Sequence, residues 1–441
     1  MLEQLFNIKK EGSTPKREIL AGISTFLAAM YIIVVNPTIL GGAGIPFSQA
    51  LTATVLISAF GSFAMGAYAR SPVLVAPGMG ANALFTYTMV VGAKIPLTIA
   101  LGCVFWSGVL FFIMSAFNVR QYVIDAIPRS LRHAVACGIG LFITVIGLVN
   151  AKFLVENPDT VVGMGHLTPP VVTFLLGLVI TAALVTRKIP GALIIGIILT
   201  TIMAIPIGRW WGDGAAYAPG LHTLVNYSGV FALPDFSGLF HVNVFGALKI
   251  AYWPFIFVIL FTTFFDALST FMGLSQAANL LDENGQPRNM RRSMVVDATS
   301  ALISAPLGTS PANAYVESAA GISQGGRTGL VAVVCGLLFI PFLFLSPLLS
   351  LIPSIATAPA LIMVGVFMLG PIRLIEWKEM EEAIPAFIAM VLIPITYSIT
   401  VGVVFGFLAL VVCKTAAGKA REVHLTMWIL AILSLLLLFE L

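Results

Sequence analysis

Apolar runs of 17 or more residues recur from Ile19 onward, separated by short polar stretches. None alternates with period 2 as a barrel strand would, so the pattern predicts a polytopic helical membrane protein. In the first half the runs predict spans over Glu18–Leu40, Ser48–Tyr68, Val73–Val91, Ile95–Phe117, Ser130–Val149, Pro170–Thr186 and Ile189–Ile207. In the second half they predict Leu248–Leu280, Ser293–Ala305, Pro311–Ser323, Thr328–Leu351, Ala358–Ile372, Ile384–Tyr397 and Thr400–Cys413. A polar loop, Gly208 to Gly246, divides the halves, and His424–Leu441 reads as either a further span or an interfacial helix. Met1–Arg17 is polar, with Leu2, Leu5 and Phe6 at helical spacing. It suits a short interfacial helix rather than a cleavable signal.

Charge tests this spacing of spans. With the N-terminus cytoplasmic, all of the 23 Lys and Arg residues fall on the inside except Lys94, Lys152, Arg209 and Lys249. Miscounting one span would scramble that alternation, so the bias supports both fourteen spans and the orientation.

Two of the spans are broken. In the third, Pro72 and Pro77 are followed by Asn82; in the tenth, Pro306 and Pro311 are followed by Glu317. Gly308 interrupts the tenth further. Seven spans per half is an odd number, so the second half enters the membrane from the opposite side. The chain therefore reads as an inverted 7+7 repeat, and paired interrupted spans in the two halves point to a transporter's midplane site. Non-helical backbone at that depth must be buried in protein or line a polar cavity.

Composition sharpens this picture. The chain is 59% hydrophobic and 10% charged, with mean hydropathy +1.02, far from a soluble protein. The net charge of +4 reads as topology, not as nucleic-acid binding. Cys103, Cys137, Cys335 and Cys413 lie inside apolar segments without metal-type spacing and read as small buried hydrophobes. The five histidines are scattered, and no metal site is expected. Gly78–Ala83 imitates a dinucleotide fingerprint but lacks any βαβ context. The 226-NYS-228 triplet fits a glycosylation acceptor only weakly.

Two carboxylates lie deep in apolar sequence, Asp266 and Glu317. Each costs about 2.5–3.5 kcal/mol at a helix centre, which favours a functional role over a structural hydrogen bond. Asp297 follows Arg291 and Arg292 closely, and a salt bridge near the cytoplasmic surface is expected for it. A carboxylate accepts two hydrogen bonds from a planar N–H pair and, once protonated, also donates one. That chemistry suits a nitrogen heterocycle and a carried proton. Half-helix N-termini after Pro77 and Pro311 would present free N–H groups to the same cavity. The Phe-rich stretch Phe255–Phe265 is expected to face lipid or pack, with one ring available to stack on a flat ligand.

At these motifs the chain resembles the nucleobase transporters of the xanthine/uracil permease superfamily, and within them the purine branch (AzgA-like permeases). The resemblance is carried by 25-TFLAAMYIIVVNP-37, 76-APGMGANALF-85, 264-FFDALST-270 with 276-QAANLLDENG-285, and 314-AYVESAAGISQGGRTGL-330. It continues through 356-ATAPALIMVG-365 and 395-ITYSIT-400. One departure is Ser269 before Thr270, where relatives usually carry Gly.

The resemblance implies a core domain of residues 18–117 and 248–352 and a gate domain of residues 118–207 and 353–414. Residues 1–17 then form a cytoplasmic segment, 208–247 an extracytoplasmic loop and 415–441 a C-terminal segment. It also implies short extended segments in spans three and ten, a homodimer in the cell membrane, and proton-coupled uptake with no cofactor beyond protons. The implied substrate-binding residues are Glu317, Asp266 and Asn82, with Val316 and Thr270 beside them; Asp266 and Glu317 are the proton-coupling candidates. The expected function is import of hypoxanthine, guanine or adenine. Rival expectations are a uracil, xanthine or urate permease and an anion transporter of the same fold. An intramembrane hydrolase would need a nucleophile–base pair that the spans lack.

Overall fold

The computed structural model describes residues 6–117, 128–157, 161–210, 229–277, 280, 287–425, 427–428, 431–432 and 435. Eight of its helices are long and apolar enough to cross a membrane, and two apolar helices are shorter.

The first span is α1 (Pro15–Ala29) and α2 (Ile32–Gly41), jointed at Met30 and Tyr31. Thr14 caps α1 by accepting from the Arg17 N–H, and Pro15 occupies the first turn, where its missing N–H costs nothing. α3 (Phe47–Ala67) follows. The third span is no single helix: it is strand β1 (Val75–Pro77), α4 (Met79–Ala83) and a wide π-turn over Leu84–Gly92. α5 (Leu97–Ala116), α6 (Arg129–Asn150), α7 (Pro169–Thr186) and α8 (Ala192–Trp210) complete the first half. An unforeseen hairpin, β2 (Leu154–Asn157) with β3 (Val161–Met164), joins α6 to α7.

The second half opens with α9 (Trp253–Ala277) and α10 (Met290–Leu307). Pro306 and a left-handed Gly308 (φ 80°) end α10. The tenth span then repeats the third: strand β4 (Ala312–Ala314), a 3₁₀ turn over Val316–Ser318 and α11 (Ala319–Ser323). α12 (Leu330–Phe339), α13 (Ser354–Met368), α14 (Met380–Ile395) and α15 (Ile399–Ala416) follow. Both spans are therefore broken, as the paired prolines predict, and each carries a short extended segment, as the resemblance implies.

Packing sorts these elements. α12 lies on α1 and α3, α10 on α3 and α5, and α9 on α5. Separately, α13 and α14 lie on α6, α14 on α15, and α7 on both α8 and α13. The described part of the long loop, from residue 229, straps the first group. Asp235 takes the Ser48 hydroxyl and its N–H reaches Thr52, the Phe240 N–H reaches the Pro306 carbonyl, and the Asn243 N–H reaches that of Thr98. The 226-NYS-228 triplet lies outside the described residues, as does most of the 424–441 run. The N-terminal segment departs from expectation. Phe6 and Ile8 are buried against Leu330, Val333 and Val334, because α12 offers an apolar face that the segment covers better than water does.

Close approach sets the α3–α12 contact. A Cβ on Gly329 would stand 2.0 Å from the Gly66 carbonyl oxygen, and one on Gly66 would stand 2.4 Å from that of Gly329. Gly329→Val is therefore expected to force these elements apart and lower stability by about 1–3 kcal/mol. A thermal unfolding midpoint in detergent equal to that of the parent would refute this reading of the contact.

Candidate functional site

The two broken spans meet as an antiparallel pair, with Val75 opposite Ala314, Ala76 opposite Asn313 and Pro77 opposite Ala312. The pairing extends by Gly78 N–H to the Pro311 carbonyl (3.0 Å) and Tyr315 N–H to that of Leu74 (2.9 Å). Serines complete it. The Leu74 N–H donates to Ser318 Oγ (2.9 Å), and the Ala312 N–H to Ser304 Oγ (3.0 Å). Ser62 Oγ takes the Val75 N–H (3.4 Å) and donates to its carbonyl (3.2 Å). Gly78 is required here, because a Cβ would fall 2.5 Å from Asn313 Oδ1. Tyr315 Oη donates across the pair to the Pro77 carbonyl (2.5 Å).

Beside this crossing stand the two expected carboxylates. Asp266, half-buried on α9, accepts from the Asn313 amide through Oδ2. Glu317, in the first turn after β4, accepts from Tyr31 Oη through Oε1 at 2.6 Å. Tyr31 sits at the α1–α2 joint, which brings its hydroxyl to span ten. Period 2 along β4 turns Asn313 toward α9. Each acid is thus held by a neutral donor.

The other expected residues divide. Val316 is 56% exposed and adjoins Glu317; Thr270 is buried one turn beyond Asp266. Asn82 is fully buried, its Oδ1 accepting from Ser310, and so braces the crossing from within. Phe264 and Phe265 are buried, the first packed edge-on against Phe111.

Asp297 overturns its expectation. It is 0% exposed, and no ion pair reaches it among the described residues. Arg291 instead donates to the Ala116 carbonyl (2.7 Å), and Arg292 lies over the Tyr68 ring. The reason is helical phase. At about 100° per residue, Arg291 and Arg292 stand roughly 120–140° around α10 from Asp297. The carboxylate turns inward beside the Ala314 peptide, yet neither oxygen reaches hydrogen-bond geometry. It forms a third acid behind the crossing. Helical-phase arithmetic applied to the sequence would have found this; nothing local signals Tyr31 or Ser310, whose roles depend on the crossing.

Two half-spans crossing in a helical membrane protein, with acids beside the crossing, define a transporter-type membrane fold. Residues 16–405 match the permease family (Xan_ur_permease), and the chain belongs to it. The chain is 39% identical to an adenine permease, AdeP of Escherichia coli K12, over 99% of this chain and 95% of that protein. It is 38% identical to a guanine/hypoxanthine permease, PbuO of Bacillus subtilis 168, over 99% of this chain and 100% of that protein. The transmembrane domain of a cyanobacterium bicarbonate transporter, BicA, superposes with TM-score 0.64 at 15% identity, covering 89% of this chain and 97% of that one. The fold is the helical inverted repeat of that class.

Removing the Tyr31 hydroxyl leaves Glu317 Oε1 without its donor. Tyr31→Phe is expected to cost about 1–3 kcal/mol, seen as a lower unfolding midpoint, and Tyr31→Phe combined with Glu317→Gln is expected to cost less than the sum. Additive losses would show that the two side chains do not act through this bond.

Proposed function

We propose that this protein is a proton-coupled importer of purine nucleobases that works by alternating access in the cell membrane, with its N-terminus cytoplasmic. The observation that carries the reading is the pair of half-buried carboxylates, Asp266 and Glu317, oriented by neutral donors beside the crossing strands. The names of the relatives, adenine and guanine/hypoxanthine permeases, supply the substrate class. Guanine presents adjacent N–H donors on one edge, which a carboxylate accepts as a pair, and adenine and hypoxanthine present a donor beside an acceptor, which a protonated carboxyl group matches. In this reading Glu317 grips the base, the backbone N–H groups around Val316 meet its acceptors, and Asp266 is the second anchor or the proton site. Thr270 shapes the pocket, and Asn82 acts through Ser310 as a brace.

The motion has a natural division. The group around α1–α5 and α9–α12 forms the core, and α6–α8 with α13–α15 form the gate, which a homodimer would hold still. Arg132 of α6 lies over the Phe265 ring at 5.2 Å, next to Asp266, so the gate reaches the site. Uracil, xanthine or urate remains the alternative substrate, and a competition panel of bases decides it. A bare anion fits poorly, because the site gathers acids.

The test is uptake of labelled adenine, guanine and hypoxanthine in cells lacking purine transport. Glu317→Gln and Asp266→Asn are each expected to reduce uptake at least tenfold, as the loss of about 1.5–3 kcal/mol per charge-assisted bond implies. A protonophore should collapse accumulation. Wild-type uptake in both variants would remove the site assignment, and accumulation that survives the protonophore would remove the coupling.

A further inference from the structure

A polar cavity lies apart from the carboxylates, on the face of the molecule that carries the N-terminal segment. It is partly open to solvent and has a cavity volume of about 60 Å³. One wall is Phe6, Asn7 and Glu11; the floor is Ser71–Val73, leading into β1, and Ile322 of α11; the far side is the end of α9 with Arg288 and Asn289. Three arginines line it, Arg70, Arg288 and Arg327, against one acidic residue, Glu11.

The charges do not cancel. Glu11 is taken by Arg288. Glu18, the other acid nearby, spends both oxygens on the Arg327 N–H (3.0 Å), the Thr328 N–H (3.0 Å) and the Thr328 hydroxyl (2.7 Å). Arg327 Nη1 is pinned by the carbonyls of Ile322 (2.9 Å) and Gly326 (2.8 Å), neither of them anionic. Among the described residues the guanidinium groups of Arg70 and Arg327 form no ion pair with a carboxylate. Arg70 is also held in the left-handed region, φ 53°, by a chain that turns sharply into β1. Ser71, Asn7, Asn289 and Thr328 add neutral hydrogen-bonding groups to the lining.

From this geometry we propose that the cavity binds a phosphate group. Planar guanidinium forks match phosphate oxygens in pairs, and three arginines against Glu11 and Glu18 leave an excess of one positive charge among the described residues, which favours an anion. The chemistry is shared by two sources, the headgroup of an anionic lipid and a free phosphate compound. Both broken spans begin or end at this cavity, so an occupant there would tie the N-terminal segment to the ends of β1 and α11.

Binding is measured on the full-length protein, purified in neutral detergent, by calorimetry and thermal shift. The probes are inorganic phosphate and a purine nucleoside monophosphate; a separate arm compares bilayer discs of phosphatidylglycerol with discs of phosphatidylcholine. Saturable stabilisation by a soluble phosphate assigns the free compound; stabilisation only in phosphatidylglycerol assigns the headgroup. Either is expected to weaken about tenfold in Arg70→Gln and Arg327→Gln, and with rising salt as exposed charges are screened. Glu11→Gln removes the competing carboxylate and is expected to tighten binding severalfold, which a variant that merely misfolds would not do. No saturable effect from any probe, or equal effects in Arg70→Gln and the parent, would overturn the site.

Discussion

The structure depends on one constraint: two lengths of extended backbone cross inside a membrane protein, where each unpaired N–H or C=O costs several kcal/mol. The β1–β4 ladder satisfies part of the bill, but three-residue strands expose their ends. The serine hydroxyls of Ser62, Ser304 and Ser318 close those ends, and Tyr315 closes the Pro77 carbonyl. Pro77 itself has no N–H to satisfy. The small, hydroxyl-rich composition of the neighbouring helices follows from this requirement, since only short side chains reach backbone at such close range.

The crossing also decides where the chemistry stands. Because side chains alternate along β4, Asn313 turns to α9 and meets Asp266, while the flanking alanines leave room for α10 and the inward carboxylate of Asp297. Ending the strand in a 3₁₀ turn carries Glu317 out of the ladder toward the joint at Tyr31. A continuous helix in span ten would place residues 313 and 317 on one face and could not serve both α9 and the α1–α2 joint.

The larger architecture was legible in the sequence because its causes are repetitive. Hydrophobic run length and the proline pairs each recur, so chance agreement is small. The two acids were legible as charges in apolar sequence. Their partners were not: Tyr31 stands 286 positions from Glu317, and Asn313 stands 47 from Asp266, distances that only the fold closes. Asp297 was misread because nearness in sequence to two arginines was taken for nearness in space, against the helical phase. The burial of Phe6 and Ile8 was missed because amphipathic spacing looks alike whether the apolar side meets lipid or another helix.

The choice of partners for the two acids bears on how such a site could cycle. A guanidinium beside a buried carboxylate holds the pair charged, and protonating the acid would strand a buried cation at a cost of about 3–5 kcal/mol. Tyr31 and Asn313 impose no such penalty. A tyrosine hydroxyl donates to a carboxylate and equally accepts from a carboxylic acid, and an amide offers a donor at one end and an acceptor at the other. Neutral partners therefore keep each side chain oriented while leaving both protonation states accessible. That is the property a carboxyl group needs if it is to take up a proton with a base on one side of the membrane and give it up on the other.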